Sequence, residues 1–359
     1  MNPTTPNAAP SSDDPRVGSR PSTAIGDVLL EIRDLSVHFH TDRGIVRALD
    51  GIDLQIRSNR TLGVVGESGC GKSVMALAIM GLLSGTSARV SGTILFHRQD
   101  GRVVDLTRLN PTGSEFCYIR GAEIAMIFQE PMTSLNPVFT IGDQIVEAIR
   151  RHQEVDAKEA WERSIDMLTL VGIHSPEQRM NDYPYQLSGG MQQRAMIAMA
   201  MSCNPVLLIA DEPTTALDVT IQAQILDLMV KLQKETNMAI AMITHDLGVV
   251  AAMADEVAVM YLGQIIEYGS VRSVLKRRHH PYTRGLFRSI PVLGSRGKAR
   301  LDPIAGVVPD PRFIADGCRF GDRCPERMQI CDQNPPMFAP EPSSLSRCWL
   351  HDPEVTAGG

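Results

Sequence analysis

The stretch GESGCGKS, from Gly66 to Ser73, decides the fold class of this chain. It follows a short apolar run, Leu62 to Val65, and precedes a longer one, Lys72 to Leu83. A glycine-rich loop between a buried strand and a helix turns its backbone N–H groups towards a phosphate. The pattern therefore predicts a phosphate-binding loop in an α/β protein. A glycine-rich turn with an unrelated lysine is the alternative.

Each residue of this loop is an expected contact of a nucleotide. Glycines at 66, 69 and 71 allow the backbone angles that turn successive amides inwards. Lys72 would reach the terminal phosphates as a point charge, and the Ser73 hydroxyl would bind Mg²⁺. The expected contacts are Gly66, Glu67, Ser68, Gly69, Cys70, Gly71, Lys72 and Ser73.

Two carboxylates follow a second apolar run. Val206 to Ala210 reads as a strand buried on both faces, and Asp211 and Glu212 come directly after it. Carboxylates at this edge of a parallel sheet point into the nucleotide crevice. We expect Asp211 to hold the Mg²⁺ shell and Glu212 to act as general base on the attacking water. An ordinary acidic turn is the alternative.

The stretch LSGGMQQ, from Leu187 to Gln193, indicates a second phosphate-binding surface. Ser188, Gly189 and Gly190 stand at the start of a predicted helix. The positive end of a helix attracts anions, and glycines allow close backbone approach. A helix that is simply capped by serine is the alternative.

Six features in a fixed order resemble the ATPase subunit of ATP-binding-cassette (ABC) transporters. They are the phosphate loop, Gln129 after the run Ile124 to Phe128, LSGGMQQR at Leu187 to Arg194, the Asp211–Glu212 pair, Ala216-Leu217-Asp218, and His245 after Ala239 to Thr244. The resemblance covers about Leu29 to Ile290. It implies an α/β fold with a P-loop NTPase core, an antiparallel β-subdomain, an inserted helical subdomain, and hydrolysis of ATP with Mg²⁺.

Three narrower strings resemble the ATPases of bacterial dipeptide and oligopeptide importers, in the peptide/nickel subfamily. They are QEPMTSLNPVFTIGDQI at Gln129 to Ile145, YPYQLSGGMQQRAMIAMA at Tyr183 to Ala200, and HHPYTRGL at His279 to Leu286. The implied function is ATP-driven peptide import. Close relatives carry nickel or other small solutes, so those cargoes remain alternatives, as does an ABC ATPase outside transport.

The resemblance also implies roles for single residues. Gln129 would touch the metal and its water shell and would sense the γ-phosphate, to which His245 would hydrogen-bond. Phe39 would stack on adenine, and a core or edge-strand phenylalanine is the alternative.

A dimer is the working unit that the resemblance implies. Family members hold ATP between the phosphate loop of one subunit and the LSGG stretch of a facing subunit, so Ser188, Gly189 and Gly190 would serve the partner's nucleotide. Asp218 would act across the same junction. The partners implied are a second ABC ATPase subunit, identical or related, two membrane permease subunits and, indirectly, a solute-binding protein. The chain would then lie at the cytoplasmic face of the plasma membrane.

Length and composition agree with one large α/β core and an appendage. The chain has 359 residues, 43% hydrophobic and 21% charged, and no apolar run reaches the roughly 18 residues of a membrane helix. A net charge of -6 gives no electrostatic reason to expect a nucleic-acid partner. We expect a disordered tail over residues 1–27, a nucleotide-binding domain over 28–290 with its helical subdomain at about 130–200, and a loop-rich C-terminal extension over 291–359.

Four of the seven cysteines lie in that extension, at Cys318, Cys324, Cys331 and Cys348. Cytosolic thiols stay reduced, which disfavours disulfides, and the paired C-x2-C knuckles of zinc ribbons are missing. Four loosely spaced thiolates suit a [4Fe–4S] cluster, which some of the resembling importer ATPases carry. A cluster, a zinc site and unliganded thiols remain open.

Overall fold

The computed structural model describes residues 28–129, 134–215, 217–289, 304–314 and 316–357. The predicted disordered tail, residues 1–27, lies outside these ranges, as does Ala216. The strands are β1 (Val28–Thr41), β2 (Gly44–Arg57), β3 (Thr61–Val65), β4 (Ala88–His97), β5 (Val103–Asp105), β6 (Ile124–Ile127), β7 (Leu207–Asp211), β8 (Ala239–Ile243), β9 (Glu256–Tyr261), β10 (Gln264–Ser270), β11 (Phe338–Glu341) and β12 (Ser344–Ser346).

The α-helices of the described residues are distributed along the whole chain. They are α1 (Lys72–Ile79), α2 (Ser114–Tyr118), α3 (Ile141–His152), α4 (Ala157–Leu170), α5 (Pro176–Arg179), α6 (Gly189–Met201), α7 (Val219–Thr236), α8 (Leu247–Met253), α9 (Val271–Lys276), α10 (Pro281–Arg288) and α11 (Pro353–Ala357). Helices α3 to α6 follow one another between the strands β6 and β7, in the stretch where the sequence predicts a helical subdomain.

The strands form two sheets. A four-stranded antiparallel sheet has the order β2-β1-β4-β5, and an eight-stranded sheet has the order β11-β12-β10-β9-β3-β8-β7-β6. In the larger sheet β6, β7, β8, β3 and β9 are parallel neighbours. The predicted α/β fold with an antiparallel β-subdomain is confirmed.

The parallel strands are apolar throughout because both of their faces are covered. All five residues of β7 and of β8 are buried. Leu207 and Ile209 belong to the core that also contains α1 and the smaller sheet, whereas Leu208 and Ala210 belong to the core beneath α3, α6 and α7. Alternate side chains of one strand thus join two cores.

The first helix is shorter than the apolar run Lys72 to Leu83 predicts. It ends at Ile79, and Gly81 takes a left-handed φ of 62°. A Cβ at Gly81 would lie 2.6 Å from Cζ of Phe116, so the chain turns there to make room for the ring. The apolar run is longer than the helix because residues after Ile79, such as Met80 and Leu83, still pack in the core.

The C-terminal extension contains two strands that the sequence does not predict. Strand β12 pairs antiparallel with β10, through Glu267 and Ser346 among others, and β11 pairs with β12. These short strands lengthen the main sheet at its edge. The extension therefore packs directly on the nucleotide-binding fold.

Candidate functional site

The phosphate loop joins β3 to α1 and has little room for side chains. Gly66 and Gly71 have φ of 154° and 106°. A Cβ at Gly66 would lie 2.2 Å from the Met260 carbonyl oxygen, and one at Gly71 would lie 2.4 Å from that of Ala48. Glycine is required at both positions by backbone angle and by space.

Lys72 lies inside this loop, with 6% of its surface exposed. Its Nζ donates to the carbonyl oxygens of Gly66 at 2.8 Å and Glu67 at 3.1 Å. These bonds hold a positive charge within the loop, beside the positive end of α1. The arrangement suits an anionic group, as the sequence predicts.

Asp211 lies at the end of β7, and its carboxylate accepts a hydrogen bond from the Ser73 side chain of the loop. Asp211 is 4% exposed, and its Oδ1 has no hydrogen-bond partner in the described part of the chain. Burial raises the pKa of Asp211, and the charge of Glu212 adds to this, while the bond from Ser73 and the charge of Lys72 oppose it. A buried oxygen without a partner beside a hydroxyl is a suitable place for a cation.

Glu212 lies between two of the other predicted site residues. Nε2 of Gln129 donates to its Oε2 at 3.2 Å, and Nδ1 of His245 lies 3.3 Å from its Oε1. The Thr215 hydroxyl donates to Oε2 at 2.9 Å. The structure thus brings together the three residues that are expected to act at the γ-phosphate.

The backbone of Glu212 is in the left-handed region, with φ of 48°. Its N–H donates to the carbonyl oxygen of Ile243 at 2.8 Å, which links the ends of β7 and β8. A non-glycine residue in this region costs about 1 kcal/mol or more. This left-handed turn holds the Glu212 carboxylate at the edge of the sheet. An extended backbone at the same residue would direct the carboxylate elsewhere.

The stretch that the sequence predicts as a second phosphate-binding surface is exposed at Ser188 and Gly189. The Ser188 hydroxyl accepts from the N–H of Met191 at 3.4 Å and caps α6, and Asp218 caps α7 by accepting from Ile221 at 2.9 Å. A Cβ at Gly189 would meet nothing within 4 Å. Ser188, Gly189, Gly190 and Asp218 line one open groove. Ser188 therefore does cap its helix, as the alternative interpretation expects, and the open space beside Gly189 also leaves room for a ligand.

Comparisons with known proteins give the family. The family model described as ABC transporter matches residues 49–215, and the model described as oligopeptide/dipeptide transporter, C-terminal region, matches residues 266–331. The dipeptide transport ATP-binding protein DppD of Bacillus subtilis is 49% identical over 326 residues, which are 90% of this chain and 95% of that protein. The chain belongs to the ABC transporter ATP-binding family.

Other relatives and solved structures agree with this assignment. The oligopeptide transport ATP-binding protein OppD of Salmonella typhimurium is 47% identical over 90% of this chain and 94% of its own. The dimeric post-hydrolysis structure of the ATP-binding cassette MJ0796 bound to ADP and Pi superposes with a TM-score of 0.59 at 26% identity, covering 68% of this chain and 99% of that one. This ABC protein is therefore an ATPase.

Phe39 of this ABC ATPase lies on β1, opposite Val46 of β2 and Ala88 of β4. Its ring is partly buried and packs against the core. Strand β2 continues from Val46 to Ala48, whose carbonyl oxygen faces Gly71 of the phosphate loop. Stacking of Phe39 on adenine stays a prediction.

The four cysteines of the extension form no disulfide and lie near enough to interact electrostatically with one another. Burial raises the pKa of Cys348 to about 12 and that of Cys318 to about 11, and the neighbouring cysteines contribute to both shifts. Within the described ranges, no group of three or more His, Cys, Asp or Glu side chains is arranged to hold a metal ion. The structure therefore gives no support to an iron–sulfur cluster or a zinc site.

Two residues beside the phosphate loop are absent from the predicted site. Arg323 of the extension forms an ion pair with Glu67, at 2.8 Å from Nη1 to Oε2, and the Tyr282 hydroxyl accepts from the Glu67 N–H at 2.9 Å. Tyr282 lies within the string HHPYTRGL, which signals the subfamily but not this contact. Nothing in the sequence around Arg323 signals its partner, which is 256 positions away.

None of the helices in the described parts of the chain is long and apolar enough to cross a membrane.

Proposed function

We propose that this ABC ATPase powers the import of dipeptides or oligopeptides. Two relatives, 49% and 47% identical over 90% of this chain, are named dipeptide and oligopeptide transport ATP-binding proteins. A different part of the chain, residues 266–331, matches the C-terminal region of oligopeptide/dipeptide transporters. This agreement carries the proposal and favours peptides over nickel or another small solute.

The phosphate loop is the proposed ATP site. Amides of residues 66–73 and the ammonium of Lys72 would bind the phosphates. Ser73 and Asp211 would hold Mg²⁺, with Gln129 completing the set, because oxygen ligands suit this ion and Oδ1 of Asp211 has no partner among the described residues. When bound, Mg²⁺ neutralises charge that develops on the phosphates.

Glu212 is the proposed general base. It would take a proton from the water that attacks the γ-phosphorus in line, while the bond to the β-phosphate oxygen breaks. The Gln129 amide contacts one oxygen of this carboxylate and the His245 ring contacts the other. These contacts support the proposal that Gln129 and His245 orient the carboxylate and lie beside the γ-phosphate and its attacking water.

The proposed working unit is a dimer with a second ABC ATPase subunit, identical or related. The similar solved structures include dimeric cassettes, one with ADP and Pi bound. The groove of Ser188, Gly189, Gly190 and Asp218 is open, and Val219 beside it is 83% exposed. A facing subunit that brings ATP to this groove would cover that apolar side chain.

Two permease subunits and a solute-binding protein are the further proposed partners. An apolar groove beside α3 is lined by Met126, Phe128, Ala148 and Met199, among others. The resemblance to ABC ATPases favours the segment Glu130 to Glu147 as the groove that receives a cytoplasmic helix of a permease. Residues 130–133 lie outside the described ranges, and Ser134 of this segment lines the apolar groove. This attachment would hold the ATPase at the cytoplasmic face of the plasma membrane. No nucleic-acid partner is proposed.

The proposed domain division keeps a nucleotide-binding domain over residues 28–290 and a C-terminal extension over 291–359.

The [4Fe–4S] cluster stays a prediction of the cysteine spacing. Iron and zinc analysis of anaerobically purified protein, with its visible absorption spectrum, tests it directly. Loss of bound metal in Cys318→Ser would support a metal site, and the absence of both metals from the natural protein would exclude it.

Reconstitution in vesicles with the proposed permease subunits and solute-binding protein tests the transport proposal. We expect uptake of labelled dipeptides or oligopeptides that depends on ATP and on the solute-binding protein. Vesicles with Glu212→Gln are the control for ATP-driven transport. Uptake of nickel but not of peptides, in vesicles that hydrolyse ATP, would contradict peptide import while leaving the ATPase intact.

A further inference from the structure

The segment Cys318 to Cys324 of the C-terminal extension contacts the phosphate loop through Arg323. Nη1 of this arginine donates to Oε2 of Glu67 at 2.8 Å, and Nη2 donates to Oε1 at 3.2 Å. The Arg323 side chain is 5% exposed. A bidentate pair between a buried arginine and a partly buried glutamate sets the orientation of the two side chains as well as their distance.

Arg323 is itself held by groups outside the loop. Its Nε donates to the carbonyl oxygen of Ala305 at 3.0 Å, and Nη1 also donates to the Tyr261 hydroxyl at 3.3 Å. The guanidinium lies 5.8 Å from the centre of the Tyr261 ring and 6.0 Å from that of Phe320. These contacts fix the plane of the guanidinium group. Because Glu67 binds this group with both of its carboxylate oxygens, the position of the Glu67 side chain depends on that of Arg323.

The backbone of Glu67 is held in the same way. Its N–H donates to the Tyr282 hydroxyl at 2.9 Å. Tyr282 is fully buried, and its ring packs against Tyr261 at 4.7 Å and Phe320 at 5.4 Å between ring centres. The carbonyl oxygen of Glu67 accepts from Nζ of Lys72 at 3.1 Å. Glu67 therefore contacts both Arg323 and Lys72, the lysine of the phosphate loop.

Arg319, in the same segment, reaches the loop by a second route. Its guanidinium donates to the Leu262 carbonyl oxygen and pairs with Asp50. The next residue, Gly263, donates its N–H to the carbonyl oxygen of Cys70 in the phosphate loop at 2.9 Å. Two arginines that flank Phe320 thus support the loop at two points.

We propose that Arg323, acting with Tyr282, positions the phosphate loop for ATP, so that the C-terminal extension sets the nucleotide affinity of this ATPase. A loop of glycines in left-handed angles has few side-chain contacts of its own. Supporting it from outside lowers the cost of ordering its amides when phosphate binds. The proposal rests on the ATP site proposed above.

Nucleotide affinity of the full-length chain tests this role. We expect Arg323→Met, which keeps the apolar stem, to raise the Kd for ATP about tenfold. The Kd of Arg323→Lys should lie between those of this variant and the natural protein, because a lysine keeps the charge but cannot donate two parallel hydrogen bonds to a carboxylate. Tyr282→Phe should also raise the Kd while its buried ring stays packed. Titration calorimetry gives the Kd, and thermal unfolding without nucleotide gives the stability.

Arg327→Met is the matched control. Arg327 lies in the same extension but pairs with Asp322 and Asp332, which are also in the extension. We expect its Kd for ATP to match that of the natural protein. If Arg327→Met raised the Kd for ATP as much as Arg323→Met does, the proposal would be overturned.

A double-mutant cycle with Glu67→Gln separates positioning from general stability. If Arg323 acts through Glu67, Arg323→Met adds little to the Kd of the Glu67→Gln variant. A purely structural role would lower the unfolding temperature, leave the Kd of the folded variant unchanged and give additive effects, and this result would overturn the proposal. If Arg323→Met does not fold, Arg323→Lys and Tyr282→Phe decide by the same criteria. Failure of the natural protein to bind ATP would contradict the proposed ATP site instead.

Discussion

Nδ1 of His245 lies 3.3 Å from Oε1 of Glu212. Glu212 follows β7 and His245 follows β8, so the contact joins the carboxyl ends of two neighbouring parallel strands. Gln129, after β6, contacts the other oxygen of the same carboxylate. Three successive strands of the sheet thus deliver one side chain each to a single point.

Glu212→Gln should nearly abolish turnover while ATP binding persists. Glutamine keeps the shape of the side chain and its bond to Thr215, but an amide cannot take a proton from water. We expect kcat to fall about 100-fold to 10,000-fold. Phosphate release and ATP binding are measured on the same preparation. Glu235→Gln, at an exposed ion pair on α7, is the control, and wild-type turnover by the Glu212 variant would remove this residue as the base.

Lys72→Ala should weaken ATP binding itself. The ammonium is buried in the phosphate loop, and a charged hydrogen bond contributes about 1.5–3 kcal/mol, so we expect the Kd to rise at least tenfold. Fluorescence of a labelled ATP analogue reports the Kd. Lys158→Ala, at an exposed residue on α4, should bind as the natural protein does. Equal affinity of the two variants would show that the phosphates bind elsewhere.

Local sequence patterns predict the phosphate loop and the carboxylates because their backbone context is local. A strand, a glycine loop and a helix follow one another within about twenty residues, and buried parallel strands read as apolar runs. Asp211 and Glu212 could be placed at the sheet edge for the same reason. The meeting of Gln129, Glu212 and His245 follows from the fold once its parallel strands are in place.

The contacts of the C-terminal extension could not be predicted in this way. Arg323 and Glu67 are 256 positions apart, and neither lies in a pattern that encodes the other. Strands β11 and β12 are short, and Phe338 to Glu341 contains a proline, so no alternation signals them. Their pairing depends on the open edge of β10, which exists only in the folded sheet.

Gly189→Asp should block formation of the ATP-bound dimer without weakening ATP binding to the same subunit. A Cβ at Gly189 would meet nothing within 4 Å, so the folded subunit can accept the side chain. Its negative charge would lie where the γ-phosphate of the facing subunit is proposed to arrive. In the Glu212→Gln background, we expect light scattering to show a dimer with ATP that is lost in Glu212→Gln/Gly189→Asp.

A second added carboxylate controls for net charge. Ala157 is exposed at the first turn of α4, where an acidic residue is favourable. Glu212→Gln/Ala157→Asp should therefore still form the dimer. Dimer formation by the Gly189 variant would contradict the proposed seam, because the LSGG stretch would then not face a phosphate.

His280→Asn should make the protein less sensitive to acid. His280 is 1% exposed, and its pKa is lowered to about 3, chiefly by burial and further by the charges of His351 and Arg284. The unfolded chain binds a proton at its ordinary pKa, near 6.5, and the folded chain does not until about 3. Between these values the unfolded state holds more protons, so the free energy of unfolding falls as pH falls, by about 1.4 kcal/mol per unit well below 6.5.

Asparagine can replace the contact that His280 makes without adding a titrating group. Nδ1 of His280 accepts from the Tyr282 N–H at 3.0 Å and caps α10, and asparagine is a favourable cap. Urea unfolding at pH 7.5, 6.5, 5.5 and about 5 should show a flatter dependence for His280→Asn than for the natural protein. His174→Asn, at an exposed histidine, is the control. Parallel pH curves for His280→Asn and the natural protein would mean that folding does not change the pKa of His280, against its burial beside Phe320.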